Sequence, residues 1–146
     1  MNEEIEILLV EDNAMDAEMT IRSLRKGNVM SSLHWVKDGQ EALDFLLCES
    51  KYENRTAAAL PKLMLLDINM PKVNGLEVLQ KVKADEKLKY IPVVIMTSSE
   101  EQPDISKAYD LGVNSYIVKP IEFPDFAEKV AQVGFYWTMA NRGPGA

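Results

Sequence analysis

The sequence predicts an α/β fold: a doubly wound, five-stranded parallel sheet in the order 2-1-3-4-5, sandwiched in three layers. Two patterns predict it. Short, continuously apolar runs recur along the 146 residues, at 5–10, 33–36, 63–66, 93–96 and 116–118. Between them lie stretches with apolar residues three and four positions apart. A strand covered on both faces reads as an unbroken apolar run, whereas a surface helix carries a single apolar stripe. Their alternation builds βαβ units with right-handed crossovers, which place helices on both faces of one sheet.

The elements follow in order. Ile5 to Val10 is the first predicted strand, and Asn13, a good N-cap, opens a helix whose Ala14, Ala17, Ile21 and Leu24 share a stripe until Gly27 offers a stop. After Leu33 to Val36, Asp38-Gly39 opens a second helix with Ala42, Leu43, Leu46 and Leu47. Glu49 to Pro61 is then a polar, Ala-rich connection, longer than the roughly two to six residues usual for such loops. Leu63 to Leu66 leads to a helix from about Gly75 with Leu76, Leu79 and Val82. Val93 to Met96 leads to one from about Asp104 with Ile105, Ala108 and Leu111, ended by Gly112. Tyr116 to Val118 is the last strand, and about Pro124 to Asn141 the last helix, with Phe126, Val130, Val133 and Trp137 on its face. No repeat or low-complexity segment marks a boundary, so one domain is expected over 1–141, followed by a flexible Gly/Pro tail at 142–146.

Composition narrows the function. With 47% hydrophobic and 27% charged residues the chain is of the ordinary globular class, and its length buries a core without disulfides, in keeping with a single cysteine, Cys48. A formal charge of −7 repels a phosphate backbone, so nucleic-acid binding is not expected. The N-terminus Met1-Asn2-Glu3-Glu4 is acidic, and no apolar run approaches the ~18 residues of a membrane span, so a cytoplasmic chain without membrane contact is expected. The lone His34 leaves a Ser-His-Asp triad one possible base, and zinc sites have almost no ligands to draw on. Walker A and G-x-G-x-x-G loops are missing. Chemistry must rest on carboxylates, hydroxyls and lysines.

Open α/β sheets bind ligands beyond the carboxyl ends of their strands, near the point where strand order reverses. There the sequence places Glu11-Asp12-Asn13, Asp67-Ile68-Asn69-Met70-Pro71, Thr97-Ser98-Ser99 and Lys119-Pro120. With strands one and three adjacent, Glu11, Asp12 and Asp67 crowd one rim and repel. A hard dication such as Mg²⁺, which takes carboxylates, waters and phosphate oxygens, offsets that repulsion. It would also keep Asp67 ionised as a nucleophile, while Lys119 and Thr97 offer a cation and a hydroxyl to phosphoryl oxygens. Phosphoryl transfer needs little beyond such positioning and charge. Singly, each residue has a plainer role as a helix cap or turn former; the joint placement at four strand ends carries the chemistry.

These motifs resemble the response-regulator receiver domain of two-component signalling, from about Ile5 to Val133. The similarity rests on Leu8-Leu9-Val10-Glu11-Asp12-Asn13, Leu65-Leu66-Asp67-Ile68-Asn69-Met70-Pro71 with Asn74-Gly75, Ile91-Pro92-Val93-Val94-Ile95-Met96-Thr97, and Tyr116-Ile117-Val118-Lys119-Pro120. The resemblance implies a flavodoxin-like fold and a phosphoryl group accepted on Asp67 from a sensor histidine kinase or histidine phosphotransfer protein. It implies one Mg²⁺ held by Asp12, Asp67, the Asn69 backbone carbonyl and, through water, Glu11. Thr97 and Lys119 would contact the phosphoryl group, Tyr116 would rotate inward as a switch, and the Lys119–Pro120 bond is expected to be cis. Asn69 and Ser99 would tune dephosphorylation, and a small, neutral Ser99 predicts a long-lived phosphoryl-aspartate.

No output domain is expected, so the chain resembles stand-alone regulators paired with phytochrome-like sensor kinases, acting as a phosphoacceptor with at most slow self-dephosphorylation and signalling to an unknown downstream protein. Phe135-Tyr136-Trp137 cannot all face one core; the cluster either forms a homodimer contact or packs partly under the 49–61 connection. Two other classes meet obstacles. An aspartate-nucleophile phosphatase uses D-x-D, and the second acid is replaced by Asn69; an FMN module needs its phosphate where Glu11 and Asp12 stand.

Overall fold

The computed structural model describes residues 5–29, 32–55, 60–70, 73–98, 102–119 and 123–142, save the side chains of residues 123 and 124. Strands β1 (Ile7–Val10), β2 (Leu33–Val36), β3 (Leu63–Leu66), β4 (Val93–Thr97) and β5 (Ser115–Val118) alternate with helices α1 (Ala14–Lys26), α2 (Gly39–Leu47), α3 (Gly75–Ala84), α4 (Gln102–Asp110) and α5 (Phe123–Phe135). The sheet is parallel throughout, in the expected order β2-β1-β3-β4-β5. Val10 lies opposite both Val36 and Leu66, so the first three strands end level and their next residues share one rim.

Side-chain alternation splits the core in two. Leu8, Val10, Met64, Leu66 and Ile95 pack against Phe45 of α2, Val78 and Leu79 of α3 and Ala108 of α4. Ile7, Leu9, Leu65 and Met96 pack against Ala17 and Leu24 of α1 and Phe126 and Val130 of α5. Every residue of β1, β3 and β4 is buried, which is why these runs carry no polar alternation. Among the described residues no helix is long and apolar enough to cross a membrane.

Asn13 caps α1 as predicted, accepting from the Asp16 N–H, and Asp38 caps α2, accepting from the Glu41 N–H. Gly112 ends α4 with φ +96°, the left-handed conformation that favours glycine. Gly27 is the expected stop, the C-cap of α1 with its N–H on the Ser23 carbonyl at 3.1 Å, and it serves a second purpose. Its φ is −84°, within reach of any residue, but a Cβ there would lie 2.3 Å from Ala131 Cβ. At Gly134 a Cβ would lie 2.5 Å from Leu24 Cδ2, so two glycines let α1 and α5 approach closely.

Boundaries shift where contacts outweigh pattern. β1 starts at Ile7 rather than Ile5, β4 runs on to Thr97, and Leu47 is 44% exposed, off the buried stripe it was expected to join. The last helix does not run uniformly to Asn141. Residues Tyr136–Ala140 form a wider π turn, with the Thr138 hydroxyl donating to the Gly134 carbonyl at 2.6 Å. The 49–61 connection is not all loop: Ser50–Tyr52 is a 3₁₀ turn, and Tyr52 packs on the α2 side of the sheet. Trp137 packs on the opposite, α1 side, and among the described residues Phe135 and Tyr136 are exposed.

Candidate functional site

Backbone pairing sets the rim. The Asp67 N–H donates to the Val10 carbonyl at 3.0 Å, Glu11 N–H to Val36 at 3.1 Å and Lys119 N–H to Thr97 at 2.7 Å, so each strand's ladder ends on the residue that bears the chemistry. The turn after β3 is tightened by the Ile68 carbonyl, which accepts from both Met70 and Gly75. A Cβ on Gly75 would lie 2.2 Å from the Asp67 carbonyl oxygen; glycine at this position lets α3 begin against the backbone of the acid.

Glu11, Asp12 and Asp67 converge as the sequence predicts, with one carboxylate oxygen of each within 4.8 Å of the others. Glu11 is 2% exposed and Asp67 7%, while Asp12 faces solvent. Burial, reinforced by the neighbouring Asp67 carboxylate, pushes the Glu11 carboxyl up to about 7, against the pull of Lys119. Lys119 bonds Glu11 Oε1 at 2.6 Å and Asp16 Oδ2 at 3.0 Å. Burial works against its charge, but the bond to Glu11 and the fields of Glu11 and Asp67 outweigh it and raise the ammonium above its ordinary range. One lysine leaves the three-acid cluster net negative. Hard oxygen donors at this separation, with a residual negative charge, fit a divalent cation of the magnesium class.

The remaining predicted residues sort by position. Thr97 is fully buried, and Asn69, exposed at the rim, reaches its hydroxyl with a long 3.5 Å contact from Nδ2. Tyr116 is half-buried and packs on the α2–α3–α4 side, the face that strand alternation also gives Thr97. Ser99 and the Lys119–Pro120 bond lie outside the described residues.

Two contacts went unread in the sequence. Asp16 pairs with Lys119 from the first turn of α1, where an acid is ordinarily explained by the helix dipole. The Trp35 indole N–H donates to the Glu11 carbonyl at 2.8 Å, anchoring the rim from β2.

Residues 7–131 match the response regulator receiver domain. The chain is 40% identical over 139 residues, 95% of its length, to the probable methanogenesis regulatory protein FilR2 of Methanothrix harundinacea, of which it covers 87%. It is 37% identical to the response regulator Rcp1 of Synechocystis, covering 96% of this chain and 93% of that one; a crystal structure of Mn²⁺-bound Rcp1 superposes with a TM-score of 0.87. The phosphorylated cyanobacterial phytochrome response regulator RcpA superposes with a TM-score of 0.88 at 36% identity, covering 98% of this chain and all of that one.

Proposed function

Because the chain belongs to the response-regulator receiver family, we propose that Asp67 is its phosphoacceptor and that residues 1–141 form the switch, with 142–146 a tail. The observation that carries this is the meeting of Glu11, Asp12 and Asp67 within 4.8 Å, with Lys119 bonded to the first. The donor is a sensor histidine kinase or a histidine phosphotransfer protein. An Asp67 carboxylate oxygen bonds to phosphorus as the phosphorus–nitrogen bond of phosphohistidine breaks. The electron pair leaves with the imidazole, which takes a proton from solvent. Asp12, Asp67, the Asn69 carbonyl and, through water, Glu11 would hold Mg²⁺, which would supply positive charge to draw in the phosphoryl oxygens.

Lys119 and Thr97 then donate to two phosphoryl oxygens. A Thr97 hydroxyl drawn toward the acceptor vacates space on the face where Tyr116 packs, and the tyrosine turns inward. The output is a changed surface read by another protein, with a coupling of about 1–3 kcal/mol typical of such switches. Phe135, Tyr136 and Met139, 55%, 51% and 67% exposed, form an apolar patch suited to a homodimer contact. Asn69 and Ser99 set the lifetime of the phosphoryl group, which is lost slowly; the chain is a cytoplasmic switch rather than an enzyme with turnover.

Incubation with acetyl phosphate and Mg²⁺ should add one phosphoryl group by intact mass, and Asp67→Asn should remove it. Unaltered labelling of that variant sinks the assignment. Sizing chromatography of both forms tests assembly.

A further inference from the structure

Asp16 is the fourth acid at the rim and has no part in the three-acid cluster. Its place is set by α1: its N–H donates to the Asn13 side chain at 3.0 Å and its carbonyl accepts from the Thr20 hydroxyl at 2.9 Å. An acid in a first helical turn is favoured by the helix dipole and needs no further partner. This one nevertheless reaches a lysine 103 positions away, whose side chain is only 10% exposed.

An ammonium carries three N–H donors on a flexible four-carbon stem. Glu11 takes one at 2.6 Å and Asp16 a second at 3.0 Å, and among the described residues no ion pair joins Lys119 to Asp67. Two anchors on different elements, β1's end and α1, fix both the place and the rotation of the ammonium, leaving the third donor uncommitted. With Glu11 alone the ammonium would pivot about one contact, and the other acid whose field acts on it is Asp67 itself. A lysine collapsed onto the nucleophile masks the oxygen that must attack.

We propose that Asp16 is a positioning residue for phosphoryl transfer, holding Lys119 beside Asp67 with one N–H free for the incoming phosphoryl oxygen. The inference rests on Asp67 being the acceptor. With acetyl phosphate, the bond from Asp67 oxygen to phosphorus forms as the phosphorus–oxygen bond to acetate breaks, and acetate departs with the electron pair. Asp16 touches neither atom and acts only through Lys119.

The test is a double-mutant cycle on the full chain, read as the rate of mass gain with acetyl phosphate and Mg²⁺, with Asp67→Asn as the blank. Asp16→Asn keeps the size of the side chain, and Asp16→Ser removes its reach. Each should slow phosphorylation about five- to tenfold in the wild-type background, the scale of a misplaced catalytic group. In the Lys119→Met background each should change the residual rate less than about twofold, because the group it positions is gone. An equal loss in both backgrounds, or no loss with Lys119 present, overturns the proposal while leaving Asp67 as acceptor. A wild-type chain that takes up no phosphoryl group overturns both.

Discussion

Two glutamates, buried Glu11 beyond β1 and half-buried Glu41 in the first turn of α2, show what the fold does with charge. At the rim, Glu11 meets two further acids and shares one lysine, and its carboxyl is pushed up to about 7. At the outer edge, Glu41 accepts from Lys51 Nζ at 2.7 Å, the Tyr52 hydroxyl at 2.8 Å and the Lys37 N–H at 3.2 Å. Burial acts against it too, but these three donors outweigh burial and bring its carboxyl down to about 2. Around it the ring of His34 stacks on Phe45 at 4.7 Å and bonds the Tyr52 hydroxyl at 2.8 Å, with the Arg55 guanidinium 3.6 Å over Phe45. The outer cluster satisfies itself and holds the 49–55 segment in place; the rim is left short of positive charge. An acid cluster short of positive charge marks a place for a cation, and a charge-balanced one marks structure.

That contrast can be broken at either end. The largest effect is expected from Lys119→Met, which removes a donor aimed at developing charge and should slow phosphorylation about 100-fold. Folding should survive, as a circular dichroism melt will show. Phe45→Ala should do the reverse, costing about 3–5 kcal/mol in urea unfolding while phosphorylation by acetyl phosphate stays near wild type; a large loss of rate would mean that the outer cluster also shapes the rim. Gly75→Ala stands between them. Its Cβ has no room against the Asp67 carbonyl, so about 1–3 kcal/mol of stability and some affinity for Mg²⁺ should go together, measured by unfolding and by titration calorimetry.

The smallest effect concerns pH. Burial holds His34 below its ordinary 6.5, so the folded chain resists a proton that the unfolded chain accepts. Its contribution is therefore full above pH 6.5 and is lost as pH falls below it. Wild type should lose more melting temperature between about pH 7.5 and 5.5 than His34→Phe does. Equal slopes would remove His34 from the account.

What the sequence displays and what it hides follow the same division. Strand ends recur with the apolar runs, so Glu11, Asp12, Asp67, Thr97 and Lys119 could be placed on one rim from periodicity and strand order. The outer cluster has no period: His34, Phe45, Tyr52 and Arg55 meet because a turn at Ser50–Tyr52 folds an irregular segment back, and each reads singly as loop or core. Asp16 was hidden by its own sufficiency as a first-turn acid, and its lysine is 103 residues on. Gly27 concealed a second role for a related reason. A glycine after a helical stripe reads as a stop, which it is, but it also makes room for Ala131, a demand set by a helix more than a hundred residues later.

The close approach of α1 and α5 has a mechanical consequence. Gly27 against Ala131 and Leu24 against Gly134 lock the far part of α1 to α5, while Asp16 at its near end grips Lys119, which follows β5. α1 is thus tied at one end to the residue after β5 and along the rest to α5. A load placed on the lysine is therefore borne by a helix packed along α5, the helix that ends at the exposed Phe135.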